Sequence, residues 1–393
     1  MFSTWPEILF WAAALILFYQ YAGYPVLLAA WGALRQRRPG APPPPAPPPT
    51  LSVLLVALDE GPRMEGRVRN LLSLGYPADR LEILVGSDGS RDDTMHRALA
   101  VGDPRVRVFA FPQRRGKPAV LNDLMRWARG SILVFADARQ RFEPGSLHAL
   151  AGPFSDPEVG GVSGELVLDH ADGAVGDGVG LYWKIETFIR KTESLVDSCI
   201  GATGAIYAVR RDLVEPIPED TLLDDVLIPM RAARRGYRVV LQPQARAHDR
   251  AARSPREEFS RKVRTIAGNF QLFAREPWML DPRRNRLWLQ TWSHKALRLA
   301  GPACLAALAS TSVALAWHPF YRAALAAQAL LAACALLASL RTSVRSRILA
   351  VPYVLFLLHW ATVVAFFRFV TGRQRVTWER AAAPGGAGLS QGR

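Results

Sequence analysis

Acidic side chains stand at the end of three separate apolar runs in the middle of the chain. They are Asp59 and Glu60 after residues 51–58, Asp88 after residues 81–86 and Asp137 after residues 131–136. In sheets of parallel strands, ligands bind beyond the carboxyl ends of the strands, so these carboxylates are predicted to face one ligand. One carboxylate can accept hydrogen bonds from a base or ribose, and another can hold a hard divalent cation that carries phosphates. Each Asp alone could instead cap a helix or form a turn, but three such positions together favour a binding site.

Basic side chains supply the opposite charge. Arg114, Arg115 and Lys117 occupy one loop immediately before a predicted helix. A helix N-terminus and nearby cations together bind phosphate. The pattern therefore predicts a nucleoside diphosphate, oriented by carboxylates and neutralised by a metal ion and by Arg or Lys. The sequence has no GxxxxGKS or GxxxxGKT segment and no GxGxxG after the first strand, which argues against an ATPase and a dinucleotide oxidoreductase.

Strand and helix patterns alternate around these side chains from residue 51 to about residue 295. Strands are predicted at residues 51–58, 81–86, 106–111 and 131–136, and helices at residues 91–100, 118–129, 226–235 and 257–273, with a further helix ending at residue 74. Such alternation is typical of βαβ units around a largely parallel sheet. The predicted fold class is therefore α/β.

Four apolar runs, almost free of charge, flank the α/β region. They are Ile8–Trp31, Leu299–Trp317, Ala323–Leu340 and Ile348–Phe367. Each is about long enough to cross a hydrocarbon core of roughly 30 Å. Arg35, Arg37 and Arg38 follow the first run, and the positive-inside rule predicts that this end lies in the cytoplasm. Three further spans would leave the basic residues 368–380 outside, against the same rule, so the sequence leaves the number of spans open.

The formal net charge of +15 allows nucleic acid, anionic lipid or an anionic small molecule as a partner. The apolar runs and the absence of a helix-turn-helix or RNP-type pattern argue against nucleic acid. The three cysteines are few and scattered, which excludes a disulfide scaffold.

Several short segments, in order, resemble the motifs of family 2 inverting glycosyltransferases with the GT-A fold, a Rossmann-like domain with a mostly parallel sheet. The segments are Val56–Glu60, Ser87–Ser90, Gly116–Lys117 with Leu121–Asn122, Asp137–Arg139, Gly201–Ala205, Leu223–Asp225 and Arg261–Thr265. Within the family, the last three segments resemble the acceptor motif, the base motif and a divergent Gln-x-x-Arg-Trp motif of the membrane-bound polysaccharide synthases, such as cellulose and hyaluronan synthases. The resemblance includes the flanking apolar runs.

The resemblance implies a role for each matching residue. Asp225 would be the general base and Asp224 its neighbour at the acceptor. The residues that would bind the donor are Asp59, Glu60, Asp88, Lys117, Asp137, Arg139 and Arg264. Gly201, Thr203 and Gly204 would shape the acceptor end, and Asp137 would also bind a divalent cation, Mg²⁺ or Mn²⁺. A second carboxylate raises the pKa of a neighbouring one, which suits Asp225 to general base catalysis, although Asp224 and Asp225 could also cap the helix that follows.

Two positions depart from the family pattern. The usual Asp-x-Asp reads Asp137-Ala138-Arg139. Either the metal is bound by Asp137, phosphates and waters, or Arg139 partly replaces it. His248-Asp249 is a further candidate ligand pair, although an ordinary turn after a strand is favoured there. Thr265 stands where the polymerising synthases carry an aromatic residue, which weakens the case for processive synthesis.

The sequence thus predicts a membrane glycosyltransferase that moves a sugar from a nucleotide-sugar, a UDP-sugar by expectation, to a polysaccharide or glycolipid with inversion. The alternatives are single-sugar transfer to a lipid, such as polyprenyl phosphate or diacylglycerol, and a non-catalytic nucleotide-binding scaffold. Expected partners are the nucleotide-sugar donor, a glycan or lipid-linked acceptor, membrane lipids and export proteins, with no nucleic acid. The expected location is the bacterial inner (plasma) membrane, multi-pass, with a cytoplasmic catalytic domain. The predicted divisions are an N-terminal transmembrane helix (1–34), a basic, Pro-rich linker (35–50), the GT-A domain (51–280), an interfacial segment (281–298), about three transmembrane helices (299–370) and a basic tail (371–393).

Overall fold

The structure is a computed structural model that describes residues 4–35, 47–169, 174–250, 254–340 and 347–376. Much of the predicted linker and most of the predicted basic tail lie outside the described residues. No observation bears on the predicted domain boundaries, which stay a prediction.

An eight-stranded mixed sheet forms the centre of the described chain. Its strands are β1 (Leu51–Ala57), β2 (Leu81–Asp88), β3 (Val106–Phe111), β4 (Ile132–Asp137), β5 (Arg141–Phe142), β6 (Val159–Asp169), β7 (Ile206–Arg210) and β8 (Arg238–Arg250). The strand order is β3-β2-β1-β4-β7-β6-β8-β5. The pairings β1–β2, β1–β4, β2–β3 and β6–β8 are parallel, whereas β7 runs antiparallel to both neighbours and β5 antiparallel to β8.

Helices cover both faces of the sheet and flank it. In the described residues they are α1 (Trp5–Phe18), α2 (Tyr24–Leu34), α3 (Gly61–Leu72), α4 (Thr94–Leu99), α5 (Lys117–Trp127), α6 (Ser146–Ala151), α7 (Ala174–Val196), α8 (Asp224–Arg234), α9 (Pro255–Arg275), α10 (Trp288–Thr291), α11 (Leu297–Ala314), α12 (Pro319–Leu340) and α13 (Arg347–Val370). Short 3₁₀ turns occur at Ala78–Arg80, Gly152–Ser155, Arg211–Leu213 and Pro277–Leu280, and π-helical turns at Tyr19–Gly23 and Trp292–Ala296.

The continuous apolar character of β1 follows from burial on both sides. Side chains of a strand alternate between its faces, and here Leu54 joins the core on one face while Val53 and Leu55 join the core on the other. All three side chains are fully buried. A strand covered on both faces reads as an unbroken apolar run, which is why the sequence predicted β1 with an error of one residue at its end.

The α/β, GT-A-type fold flanked by apolar helices is confirmed. The first four predicted strands occur where expected, and the helices predicted at 226–235 and 257–273 correspond to α8 and α9. The largely parallel sheet holds for the half built from β1 to β4. The antiparallel β7 makes the other half mixed.

Four helical stretches are long and apolar enough to cross a membrane: Trp5–Leu34, Trp288–Ala314, Pro319–Ser339 and Val351–Val370. The first is α1 and α2 joined by a π-helical turn, and the second joins α10, a π-helical turn and α11. The end of α13 packs on the α/β domain, because Phe270 of α9 contacts Phe366 and Phe369 at ring-centroid distances of 5.5 and 6.0 Å. The two ends of the 288–370 region therefore both meet the α/β domain.

Candidate active site

The predicted acidic strand ends lie side by side. In the parallel register Val56 of β1 pairs with Asp137 of β4, and Ala57 of β1 pairs with Ser87 of β2. The carboxyl ends of β2, β1 and β4 are thus adjacent, and Asp88 and Asp137 stand at two of them. Asp59 follows the third.

Asp59 adopts a left-handed backbone conformation with φ of 51°, the one non-glycine residue with positive φ in the part of the chain that the structure describes. Such conformations are sparsely populated and cluster at ligand sites. Its backbone N–H donates to Ser90 Oγ at 3.0 Å, and its carboxylate accepts from the Arg91 N–H at 2.8 Å. The adjacent Glu60 accepts from Arg63 Nη1 at 2.7 Å. Asp59 therefore links the loop that follows β1 to the loop that follows β2.

Asp88 is buried and organises the loop before α5. Its carboxylate accepts hydrogen bonds from the backbone N–H groups of Arg115, at 2.6 Å, and Gly116, at 2.9 Å. Gly116 has φ of 96°, a conformation that only glycine adopts freely. These contacts fix the first residue of α5, Lys117.

Lys117 links two of the predicted site carboxylates. Its Nζ lies 3.0 Å from Asp137 Oδ1 and 3.3 Å from Asp224 Oδ2. Burial alone would lower the pKa of Lys117, but Asp137 and Asp224 outweigh it and raise the pKa above its ordinary value. Lys117 is therefore a firmly charged ammonium between β4 and α8.

The other basic residues of the loop make different contacts. The Arg115 guanidinium pairs with Asp123 and lies 4.5 Å from the Phe111 ring centre. Lys117 of this loop contacts two carboxylates of the site, those of Asp137 and Asp224.

Asp224 and Asp225 occupy the first turn of α8, where the positive end of the helix dipole favours carboxylates. The N-cap residue is Leu223, and no side chain caps this helix. The capping interpretation is therefore wrong, and both carboxylates are available to the site. Asp224 is buried and accepts from Tyr207 Oη at 3.3 Å.

Asp225 has the electrostatics of a general base. Burial, and next the charge of Asp224, raise its pKa to about 6, while Lys117 and Lys295 act in the opposite direction. A carboxylate with this pKa is ionised near neutral pH and still basic enough to take a proton from an acceptor. Burial and the same two carboxylates also raise the pKa of Tyr207 well above its ordinary value, so its hydroxyl remains a donor.

Arg264 of α9 belongs to the same charged group. Burial lowers the pKa of Arg264, and the charges of Asp224, Asp225 and Asp137 oppose that shift. Its neighbours on α9 are engaged elsewhere, since Arg261 pairs with Glu257 and Lys262 lies 3.6 Å from Glu258. Arg264 of this predicted basic motif therefore lies in the field of Asp224, Asp225 and Asp137.

The predicted acceptor loop packs directly against Asp225. The Ala202 N–H donates to the Asp225 carbonyl at 2.8 Å. A Cβ on Gly204 would lie 2.9 Å from Asp225 Oδ2, and a Cβ on Gly201 would lie 3.0 Å from Val226 Cα. Thr203 donates its backbone N–H to Ser163 Oγ at 3.1 Å. The glycines are there because the loop must approach α8 more closely than a side chain allows.

Arg139 forms an ion pair with Asp249. Its Nη2 lies 2.7 Å from Asp249 Oδ2, and this buried carboxylate also accepts from Gln140 at 3.0 Å. His248, the other member of the His248-Asp249 pair, has Nε2 2.6 Å from Glu143 Oε1. Over the residues that the structure describes, no three His, Cys, Asp or Glu side chains are grouped to hold a metal ion.

Arg67 of α3 is a site residue that sequence reasoning missed. It is 4% exposed, donates from Nε to the Asp137 carbonyl at 3.1 Å and lies 4.2 Å from the Phe142 ring centre. Burial lowers its pKa to about 9, against the charge of Asp137. Arg67 therefore stabilises the end of β4 through this hydrogen bond. An arginine on an amphipathic helix is expected at the surface, so this role could not be predicted from the sequence.

Comparison with known proteins identifies the domain that carries these residues. Residues 52–216 match the family model described as Glycosyl transferase family 2. Those residues are therefore similar to a family 2 glycosyltransferase domain. The match contains Asp59, Asp88, Lys117 and Asp137, whereas Asp224, Asp225 and Arg264 lie beyond it.

Two curated relatives match part of the chain. The glycosyltransferase AglD of Haloferax volcanii is 35% identical over 111 residues, which is 27% of this chain and 18% of the relative. A dolichyl-phosphate beta-glucosyltransferase of Drosophila melanogaster is 37% identical over 98 residues, which is 22% of this chain and 30% of the relative. The chain thus spans less than a third of the length of either relative.

A solved structure shares the architecture over nearly its whole length. It is the mannosyltransferase PcManGT from Pyrobaculum calidifontis in complex with GDP-mannose and Mn²⁺. The TM-score is 0.72 at 24% identity, covering 93% of this chain and 99% of that one. The likeness includes the flanking helices and shows the fold.

Proposed function

We propose that this protein is a membrane glycosyltransferase that moves a sugar from a nucleotide-sugar to a hydroxyl of a lipid-linked or glycan acceptor, with inversion at the anomeric carbon. The observation that carries the proposal is Asp225, a carboxylate with a pKa of about 6 that is packed against the Gly201–Ala205 loop and adjoins two cations, Lys117 and Arg264. A base on one side and cations on the other are what a single displacement requires.

The proposed reaction is one displacement. Asp225 takes the proton of the acceptor hydroxyl as its oxygen bonds to the anomeric carbon, and the bond from that carbon to the diphosphate oxygen breaks. The leaving nucleoside diphosphate carries away the electron pair, and Lys117 and Arg264 stabilise its negative charge. Attack opposite the leaving group inverts the anomeric centre.

Asp59 and Asp88 have a supporting place in this proposal. Asp88 shapes the loop that presents Lys117, and Asp59 closes the neighbouring loop. Their proposed contact with the nucleoside, and a UDP donor in particular, stay predictions.

Asp137 is the protein ligand that we propose for a divalent cation. Its carboxylate is a hard oxygen donor at the end of β4, with its side chain 28% exposed. Mg²⁺ and Mn²⁺ accept a single carboxylate when phosphates and waters complete the shell, so the donor set fits a cation brought in with the diphosphate. Arg139 cannot serve as a second ligand because it is a cation paired with Asp249. The ion, when bound, would neutralise the diphosphate.

A lipid acceptor is favoured by the position of the base. Lys295, whose charge acts on Asp225, belongs to the helical stretch Trp288–Ala314 that is apolar enough to span a membrane. The acceptor end of the site therefore adjoins the proposed membrane surface. Thr265, which is exposed and bonds back to the Arg261 carbonyl at 3.0 Å, provides no aromatic platform for a growing sugar chain. We therefore favour transfer of single sugars over processive synthesis.

The chemistry of Asp225 separates the two lipid acceptors that the sequence left open. A hydroxyl must lose a proton to a base, whereas a phosphate monoester is already largely ionised near neutral pH, since its second pKa is about 6. A strong dependence on Asp225 would favour a hydroxyl acceptor such as diacylglycerol or a glycan. A weak dependence would favour polyprenyl phosphate.

The proposal is tested with detergent-solubilised protein and a panel of nucleotide-sugars, with and without added membrane lipid. We expect release of nucleoside diphosphate with one donor, stimulated by the lipid that contains the acceptor. No release with any donor under either condition, together with tight nucleotide binding, would support a non-catalytic scaffold instead.

A further inference from the structure

A second cluster of buried charged and polar groups lies where the apolar helices meet the catalytic domain. We call it the interfacial network; it comprises Tyr24, Glu186, Glu193, His294, Lys295 and Arg298. His294 is fully buried, with Nδ1 2.9 Å from Glu193 Oε1 and Nε2 2.7 Å from Glu186 Oε1. Apart from the charge of Lys295, which acts on Asp225, the proposed reaction does not use these residues.

Glu193 is the centre of this network. It is fully buried at the end of α7 and makes contacts to three separate elements. The Tyr24 hydroxyl of α2 donates to its Oε1 at 2.7 Å, and His294 lies 2.9 Å from the same oxygen. The backbone N–H of Ile200 donates to its Oε2 at 3.4 Å. One carboxylate therefore ties two membrane-type helices to the chain segment that begins the acceptor loop.

That segment leads directly to the candidate base. Ile200 precedes Gly201, which packs on Val226, and Ala202 donates its N–H to the Asp225 carbonyl. Gly204 then lies against the Asp225 carboxylate itself. The position of Ile200 thus helps to set the shape of the loop around Asp225.

The other branch of the network also reaches the base. Lys295, next to His294, lies 3.8 Å from Glu186, while Arg298 lies 3.0 Å from it. Burial would raise the pKa of Glu186, but His294, Arg298 and Lys295 outweigh it and hold the pKa well below its ordinary value. The charge of Lys295 in turn lowers the pKa of Asp225.

Charged and titratable groups face Asp225 from several elements. They are Asp224, Asp137, Lys117, Arg264, Tyr207 and Lys295. Lys295 is the member of this set that belongs to a candidate membrane span.

We propose that Glu193 is a positioning residue for Asp225, holding the loop of residues 200–205 and the Lys295 ammonium in place by bonding to Ile200, Tyr24 and His294. The inference rests on the proposed function. As a consequence, the packing of the membrane-type helices on the catalytic domain is coupled to the alignment of Asp225.

Two conservative variants of the full-length protein in detergent test the linkage. Glu193→Gln keeps the size and removes the charge, and Tyr24→Phe removes one hydroxyl. Hydrogen exchange of the peptide that covers residues 200–205 should accelerate about tenfold in both, because a buried hydrogen bond is lost or weakened. Glu65→Gln, which changes an exposed ion pair on α3, should leave that exchange unchanged.

Kinetics then separate positioning from general destabilisation. Misplacement of a catalytic group by about 1 Å can lower kcat about 100-fold, so Glu193→Gln should lower kcat strongly while the donor KM stays within about threefold. Lys295→Met should move the acidic limb of the pH profile to higher pH, and Lys295→Arg should restore it.

The outcomes are distinguishable. Unchanged exchange at 200–205 in Glu193→Gln and Tyr24→Phe overturns the inference whether or not the protein transfers sugar. If Glu193→Gln misfolds and loses nucleotide binding, the inference is tested with Tyr24→Phe, Lys295→Met and Lys295→Arg. An acidic limb that does not move in Lys295→Met would count against the inference. Faster exchange in Glu193→Gln and Tyr24→Phe, together with a wild type that transfers no sugar, would refute the proposed function and still support the link between Glu193 and the loop.

Discussion

The raised pKa of Asp225 predicts a measurable acidic limb in the rate of sugar transfer. The base must be ionised to accept a proton, so activity is lost as the pH falls through its pKa. With a pKa of about 6 in place of the ordinary 3.8, about nine-tenths of Asp225 is ionised at about pH 7 and about one-tenth at about pH 5. An unshifted Asp would still be more than nine-tenths ionised at about pH 5. We therefore expect kcat/KM to fall about tenfold between these pH values.

Asp224→Asn tests the cause of this shift. The substitution removes the like charge that raises the pKa of Asp225, so the acidic limb should move to lower pH. Burial, the larger cause, remains in the variant. The limb should therefore move by only part of the roughly two pKa units that separate about 6 from 3.8.

The assay is release of nucleoside diphosphate at limiting donor concentration, measured across about pH 4.5 to 8 in constant ionic strength. Donor affinity measured in parallel separates ionisation of the base from weakened binding. A limb that stays near pH 6 in Asp224→Asn, or a wild type with full kcat/KM at about pH 5, would refute the electrostatic reasoning.

Three further results are expected. Gly204→Ala places a Cβ 2.9 Å from the carboxylate of Asp225 and should reduce sugar transfer at least tenfold while donor binding is kept. As a control, Gly152→Ala, whose Cβ would meet no atom within 4 Å, should leave sugar transfer unchanged. Arg139→Ala leaves the buried Asp249 carboxylate without its ion pair and should lower the free energy of unfolding by about 3–5 kcal/mol while changing donor KM little. As a control, Arg126→Ala, which changes an exposed side chain, should lower it by less than about 1 kcal/mol. A large rise in donor KM for Arg139→Ala alone would instead favour the predicted donor contact. Since α13 ends on the catalytic domain, Arg373→Cys, in a background without the partly exposed native cysteine, should be labelled by an impermeant thiol reagent only from the side that carries that domain. Labelling of Arg373→Cys from the opposite side of sealed vesicles would contradict this topology.

The same observation bears on the number of spans, which the sequence left open. The chain leaves the catalytic domain before Trp288 and returns to it at the end of α13. Complete crossings between two points on one side of a membrane must be even in number. We therefore predict that one of the three C-terminal apolar helices does not cross completely, which would resolve the conflict between three spans and the predicted basic tail on the cytoplasmic side.

Strand positions were predictable where burial on both faces leaves an unbroken apolar run, as in β1 and β4. The second half of the sheet was not predicted. β6 begins Val159-Gly160-Gly161 and later contains Gly164, and glycine lowers strand propensity. The glycines are required by packing, because a Cβ on Gly160 would lie 2.5 Å from Tyr237 Cβ and one on Gly164 would lie 2.4 Å from the Ala245 carbonyl oxygen.

The carboxylates of the site were predictable because strand ends and a helix start are local features. The groups that support them were not, since they depend on tertiary contacts. Arg67 and Glu193 lie on helices among many similar residues, and nothing nearby in sequence indicates that both are buried. His294 and Lys295 carried a usable signal, namely polar residues in a helix that continues without a break into an apolar span.

The most direct test of the central claim is Asp225→Asn, compared with Asp79→Asn on the exposed surface. We expect Asp225→Asn to lower sugar transfer to a hydroxyl acceptor by about 10²–10⁴-fold, the usual contribution of a general base. Its affinity for nucleoside diphosphate should stay within about threefold of wild type, and Asp79→Asn should behave as wild type. Transfer to that acceptor within about threefold of wild type, or loss of nucleotide binding with unchanged transfer chemistry, would contradict it.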